Sequence, residues 1–167
     1  MQRYEHKQLA VIGGTSGMGL ATAGFLREEG ARVLVTGRTA AHVAEARREL
    51  GHDVIAVQSD ASRIAEIDEL ATTIRETFGG MDALFISAGI SHAGSVKDAT
   101  EHALDEVFDV NAKGAYFTLQ RLAPPMRKGA GIVLATSVSN VKGMPSTSIY
   151  AASKAALRSI TRTFARN

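Results

Sequence analysis

Tyr150 and Lys154 stand four residues apart in Ser148-Ile149-Tyr150-Ala151-Ala152-Ser153-Lys154, near the end of the chain. On a helix that spacing places both side chains on one face, so the lysine ammonium can lie close to the tyrosine hydroxyl. A phenol titrates near pH 10 in water, at about 10 on the model scale, and is a poor base at neutral pH. A neighbouring cation favours the phenolate and makes proton exchange with a substrate oxygen feasible. The pair is therefore a candidate acid/base unit. A half-buried tyrosine with a lysine stem packed along it has the same spacing, and the other motifs must decide between the two.

Positioning such a pair takes a scaffold, and the chain spells one out. Short runs rich in Val, Ile and Leu, at 9–12, 32–36, 54–58, 83–87 and 131–136, read as buried strands. Amphipathic stretches at 17–29, 39–50, 62–78, 100–122 and 149–165 read as helices. Gly30 and Gly51 follow helices, Thr39 and Ser62 are available as caps, and Pro124-Pro125 stops the long fourth helix. This alternation predicts an α/β, doubly wound parallel sheet with helices on both faces, in one domain spanning 1–167. Ligands bind such sheets at the carboxyl ends of the strands.

The motifs at those ends suit a nucleotide. The first strand runs into Gly13-Gly14-Thr15-Ser16-Gly17-Met18-Gly19 and then a helix. Glycines let the backbone turn sharply and approach a pyrophosphate, and the free N–H groups of the helix start favour its charge. A tight strand-to-helix turn alone also needs glycine. The second strand ends in Thr36-Gly37-Arg38. An acidic residue there would hold the ribose hydroxyls of NAD, whereas an arginine suits a 2′-phosphate, so Arg38 favours NADP(H) and leaves NAD(H) possible. Asp60, with Ala61 beside it, follows the third strand and can accept from an adenine amino group or simply cap a turn. Ser87-Ala88-Gly89, after the fourth strand, supplies small residues where ribose or nicotinamide can lie against the backbone.

With Ser137 at the end of the fifth strand, thirteen positions before Tyr150, the chain resembles a single-domain short-chain dehydrogenase/reductase. The Gly-rich loop, Asp60, Asn111 in Asp109-Val110-Asn111-Ala112-Lys113-Gly114, Ser137 and Tyr-x-x-x-Lys follow in the family's order across nearly the whole chain. The resemblance implies a tetrad. Tyr150 exchanges the proton, Lys154 assists it and holds the nicotinamide ribose, Ser137 positions the reacting oxygen, and Asn111 binds a water linking Lys154 to solvent. Gly13, Thr15, Ser16, Gly17, Met18, Gly19, Arg38, Asp60, Ala61, Ser87, Ala88 and Gly89 would bind the cofactor together with Asn111, Tyr150 and Lys154. The reaction implied is interconversion of an alcohol and a ketone or aldehyde. No metal is called for, and the five histidines show no ligand spacing and read as surface or loop residues.

Three departures from the family pattern stand out. Ile86-Ser87-Ala88-Gly89 replaces the usual Asn-Asn-Ala-Gly, Ile12 replaces a threonine, and the chain ends at Asn167, before the sixth and seventh strands of the family. The resemblance thus implies a C-terminally truncated, Rossmann-type domain of strand order 3-2-1-4-5, whose fifth strand is an exposed edge. It also opens an alternative function: a nucleotide-binding fragment without efficient turnover. A homodimer or homotetramer through the helices 100–122 and 149–165 is implied in the same way. Substrate choice in the family rests on the loop 138–149, where Met144, Pro145 and Ile149 predict an apolar wall.

Composition bounds the remaining possibilities. The formal charge of +2, at a pI near 9.1, is spread along the chain and forms no nucleic-acid patch. There is no cysteine, no membrane-length apolar run and no signal-like start, so the expectation is a cytoplasmic protein with no membrane partner.

Overall fold

The computed structural model describes residues 2–166. Five strands, β1 (Gln8–Ile12), β2 (Arg32–Gly37), β3 (Ile55–Gln58), β4 (Met81–Ile86) and β5 (Met126–Leu134), form one parallel sheet of order β3-β2-β1-β4-β5. The helices are α1 (Gly17–Glu28), α2 (Ala40–Leu50), α3 (Ile64–Phe78), α4 (Glu101–Phe108), α5 (Ala115–Leu122) and α6 (Ser148–Phe164). The class is the one the hydrophobic pattern predicts, and the strand order is the one the family resemblance implies.

Successive strand residues point to opposite faces, so a strand buried on both sides feeds two cores. Leu9 and Val11 of β1 join Val33 and Val35 of β2 beneath Ala23 and Leu26 of α1 and Leu50 of α2. Ala10 and Ile12 face the other way. They meet Leu34 and Leu84 under Leu70 and Ile74 of α3, Leu119 of α5 and Leu157 of α6. The central strands therefore carry continuous apolar runs rather than alternation, because neither face meets water.

Several boundaries differ from the sequence expectation. The predicted helix 100–122 is interrupted: residues Asp109–Gly114 form a π-helical turn between α4 and α5. The tight fit of Gly114 accompanies this turn. A Cβ at Gly114 would lie 2.0 Å from the Ala61 carbonyl oxygen, so the helix rests on the loop after β3 at a distance only glycine permits. β5 begins at Met126 rather than Gly131, because its first half, Met126-Arg127-Lys128-Gly129-Ala130, reads as polar. The pairing jumps from Met81↔Met126 to Ala83↔Gly131, an irregularity that holds Gly129 at φ 84°. β5 pairs with β4 alone, and Ile132 and Val133 are exposed on it.

Thr39 caps α2, accepting from the His42 N–H at 3.3 Å. Ser62 does not cap α3. That helix starts after Arg63, and the Ser62 hydroxyl instead donates to Asp60 at 2.8 Å. At the sheet's opposite end, Asp82 of β4 gathers three donors: the Gln8 N–H at 2.9 Å, Lys7 Nζ at 3.3 Å and an Arg127 guanidinium nitrogen at 2.6 Å. Burial alone would raise this carboxyl's pKa, but the hydrogen bonds from Gln8 and Lys7 and the charges of Arg127 and Lys7 outweigh it and hold it below its ordinary value. One carboxylate thus ties β1, β4 and β5 together.

Asp82→Asn keeps the shape and removes the charge, so it should lower unfolding free energy by about 1–2 kcal/mol at pH 7. Because the native carboxyl is the more acidic, the wild-type advantage is present above the unfolded-state value and fades as pH falls through the folded one. Denaturant titrations of both proteins at pH 7 and at progressively lower pH should show the gap closing. A gap independent of pH would mean the carboxylate's charge plays no part.

Candidate active site

The first strand delivers its loop to a nucleotide-sized cleft. Gly13 turns at φ 79°, its N–H donating to Thr36 Oγ1 at 3.1 Å, and the Gly14 N–H donates to the Thr36 carbonyl at 2.9 Å. A Cβ at Gly19 would come within 2.1 Å of the Gly13 carbonyl oxygen, so the first turn of α1 packs directly on the loop it leaves. Ser16 precedes α1 without a side-chain cap, and the first turn holds no acidic residue. The leading N–H groups of Gly17, Met18 and Gly19 have no intrahelical acceptor, and the helix dipole adds to their preference for an anion.

The cleft above them encloses about 330 Å³. Of the predicted cofactor residues, Gly13, Thr15, Ser16 and Met18 line it from the loop. Arg38 closes the β2 side, Asp60 and Ala61 the β3 side, and Ser87, Ala88 and Gly89 the β4 side. Gly17 and Gly19 lie behind this surface, in the helix start. The segment after β4 is held by the backbone: the Ser87 and Ala88 N–H groups both donate to the Ile12 carbonyl, at 2.9 and 2.8 Å. Asp60 is partly engaged, one carboxylate oxygen accepting from the Ser62 N–H and hydroxyl. Thr36, Gly37, His42, Ser59, Ile90 and Val110 also line the cleft and were not among the residues the motifs single out. Their only sequence signal is adjacency to those motifs.

Beyond Gly89 the structure brings the acid/base candidates together. A Cβ at Gly89 would sit 3.0 Å from Lys154 Nζ and 3.2 Å from Asn111 Oδ1, which fixes how near the cofactor cleft comes to both. Asn111, fully buried in the π-helical turn, accepts from the Ile90 N–H at 2.8 Å. Its Nδ2 donates to the Ile90 carbonyl at 2.8 Å and to Ser153 Oγ at 2.9 Å. Both amide protons are thereby used. Ser153, also fully buried, donates in turn to the Tyr150 carbonyl at 2.7 Å. One amide thus fastens the β4 loop to the turn of α6 that bears Tyr150 and Lys154.

Tyr150 and Lys154 share a face of α6, with Lys154 Nζ 5.6 Å from the tyrosine ring centroid. Lys154 is 4% exposed, and its Nζ donates to the Ala135 carbonyl at 2.9 Å, just past β5. Burial alone pushes its pKa below the ordinary lysine value. Tyr150 is half-buried, and among the described residues no side chain or backbone group hydrogen-bonds its hydroxyl. Ser137 lies three residues past the end of β5 and begins a short 3₁₀ turn. Its Oγ accepts from the Ser139 N–H and hydroxyl, at 3.2 and 2.7 Å.

The loop that follows departs from expectation at Ile149, which is 7% exposed and packed with Ala103 and Val107 of α4. It is core, not substrate wall; the first turn of α6 directs it inward one position before Tyr150. Met144 and Pro145 are exposed to solvent.

Comparison with known proteins accords with this geometry. The family model of the short chain dehydrogenases matches residues 7–167, and the chain belongs to that family. It is 35% identical over 167 residues to an oxidoreductase of Sarocladium schorii, covering 99% of this chain and 67% of the relative. An uncharacterized oxidoreductase of Staphylococcus aureus (strain MW2) is 34% identical over 159 residues, 93% of this chain and 69% of its own. A solved short chain dehydrogenase/reductase family protein superposes with a TM-score of 0.87 at 36% identity, covering 99% of this chain and 69% of that one. The glucose/ribitol dehydrogenase-type structure from Brucella melitensis gives a TM-score of 0.92 at 25% identity over 98% of this chain and 70% of that one. The protein is thus an oxidoreductase of the class that acts on CH–OH groups with NAD(P). The free N–H groups and the side-chain-free cradle of the Gly-rich loop fit such a dinucleotide. Among the described residues, no helix is long and apolar enough to cross a membrane.

The buried lysine has a pH signature. Its folded-state pKa is depressed, so above the folded value the unfolded chain binds more protons and stability rises with pH until the ordinary value near 10.5. Lys154→Met removes that contribution. The stability of wild type minus that of Lys154→Met should therefore climb with pH across this window, read by denaturant melts. A constant difference would refute the burial argument.

Proposed function

We propose that this protein is an NADP(H)-dependent oxidoreductase that interconverts an alcohol with a ketone or aldehyde, with Tyr150 as its acid/base. The observation that carries the reading is the placement of a buried Lys154 ammonium against the Tyr150 ring, on a helix turn locked by Ser153 and Asn111. In a low-dielectric setting a cation at this distance stabilises developing phenolate charge far more than it would in water. The nicotinamide cofactor supplies or accepts the hydride. The protein's own part is proton transfer at the Tyr150 hydroxyl, orientation of the reacting oxygen by Ser137, and fixation of the cofactor's ribose by Lys154.

Asn111 takes a more structural part in this reading than the family resemblance assigns. With both amide protons and a carbonyl lone pair engaged, its side chain holds the β4 loop against α6 and keeps Lys154 in place. Arg38, at the end of β2, favours the phosphorylated cofactor, since its guanidinium suits a 2′-phosphate. The helical stretches 101–122 and 148–164 present Tyr116 and Lys113 beside Ile160 on an outer face, which supports pairing of two copies in a homodimer or homotetramer.

A second reading, nucleotide binding without efficient turnover, has its own support. Val138, Val141 and Met144 are 55%, 63% and 48% exposed, so the loop flanking Ser137 and Tyr150 meets solvent where a substrate would need a wall.

One experiment separates the two. NADPH binding is followed by fluorescence, and turnover is measured against a panel of ketones and aldehydes, for wild type and Tyr150→Phe. The enzyme reading expects binding unchanged and turnover reduced by about 10²–10⁴-fold in the variant. Binding by wild type with no turnover on any carbonyl would favour the second reading.

A further inference from the structure

The cofactor cleft has a second basic side chain that no motif announces. Arg38 and His42 both line it, one at the end of β2 and the other in the first turn of α2. Neither side chain has a hydrogen-bond or ion-pair partner among the described residues. Arg3, Lys7, Arg27, Arg63, Lys113, Arg121 and Arg127 pair with carboxylates elsewhere in the fold, whereas Arg38 is left without such a partner where it borders the cleft. The unpaired guanidinium and imidazole border the same void.

Three local contacts hold them there. A Cβ on Gly37 would lie 2.5 Å from Thr15 Oγ1 and Cγ2, so the phosphate loop leans directly on the end of β2 and a nucleotide lying on it must run past Arg38. The Arg38 backbone is steadied by Gln58 Nε2, which donates to its carbonyl at 3.3 Å. The Thr39 cap fixes the backbone of His42, and α2 has no acidic residue in its first turn. Asp60 is the one carboxylate lining the cleft, and it is held by Ser62. Among the described residues no carboxylate lines the cleft on the β2–α2 side to hold free ribose hydroxyls, while Arg38 and His42 both border the space where a further phosphate would extend.

We infer that His42 is a specificity-determining residue, forming with Arg38 a two-sided recess for the 2′-phosphate of the adenosine ribose. The inference rests on the NADP(H) reading above and adds to it a residue outside the family motifs. Arg38 supplies the fixed charge and the forked donor geometry. His42 supplies a ring N–H from the adjoining helix, across the recess. Because His42 is exposed and outside both hydrophobic cores, its replacement leaves the fold intact.

The test uses 2′,5′-ADP and 5′-ADP, which differ in the 2′-phosphate, titrated calorimetrically into wild type, Arg38→Ala, His42→Gln and His42→Lys. Expected is a loss of about 5- to 20-fold in 2′,5′-ADP affinity for His42→Gln, with 5′-ADP unchanged, and retention or gain for His42→Lys. The larger loss belongs to Arg38→Ala. A selective loss in Arg38→Ala with none in His42→Gln overturns the role of His42 and leaves the cofactor reading standing. Equal affinity of wild type for the two ligands overturns both.

Discussion

The packing of the β4 loop against the helix that carries Tyr150 and Lys154 depends on one buried amide. Asn111 reaches the backbone of Ile90 on one side and Ser153 on the other, linking a strand's loop to a helix that no backbone hydrogen bond could connect. Removing it would strip the Ile90 N–H and carbonyl of their side-chain partner and the Ser153 hydroxyl of its donor, leaving Ser153 only its own bond to the Tyr150 carbonyl. Lys154 is held by the same logic from the far side, through the carbonyl of Ala135. The tyrosine needs no direct bond of its own, because the turn that carries it is fixed at both neighbours.

The two halves of the site are built differently. The phosphate end is backbone chemistry: unpaired N–H groups, a helix start and close approaches possible only without a Cβ. Such a surface reads charge and shape. The end around Tyr150 and Lys154 is built from side chains: the buried Asn111 amide has its hydrogen bonds met by protein, and the buried Lys154 ammonium has one, to the Ala135 carbonyl. Gly89 is the seam between them, small enough to let the cleft run up to Lys154. This division suits a dinucleotide, whose charged centre and reactive ring need opposite environments.

Much of this could be read from the chain. The two-faced core follows from continuous apolar runs such as Leu9 to Ile12, because parallel sheets covered on both sides leave no polar alternation, and the strand order follows from the order of the family's motifs. The loop at Gly13 to Gly19 and the Tyr150–Lys154 spacing carry their geometry in local sequence. What stayed hidden was tertiary. The amphipathic pattern of 100–122 continues through Asp109 to Gly114 and gives no sign that the helix widens or that Gly114 meets Ala61, far away in sequence. The first half of β5 looked too polar for a strand because it borders an irregular pairing. Ile149 resembled a wall residue until packing placed it beside Ala103, and Ser153 sat unremarked between two conspicuous neighbours. His42 has no local signature, being defined only by the void it borders.

The π-helical turn has a consequence for how this stretch can change over generations. Each residue added to or removed from a helix rotates everything downstream by about 100°. The six residues from Asp109 to Gly114 therefore act as a phase adjuster: they let Val107 of α4 and Leu119 of α5 both face inward although an unbroken α-helix would set them at a different angle. Asn111 and Gly114 are fixed by the contacts they make, and a single-residue deletion anywhere in the segment would swing either Asn111 or Leu119 out of place, so its length is constrained as tightly as those two positions.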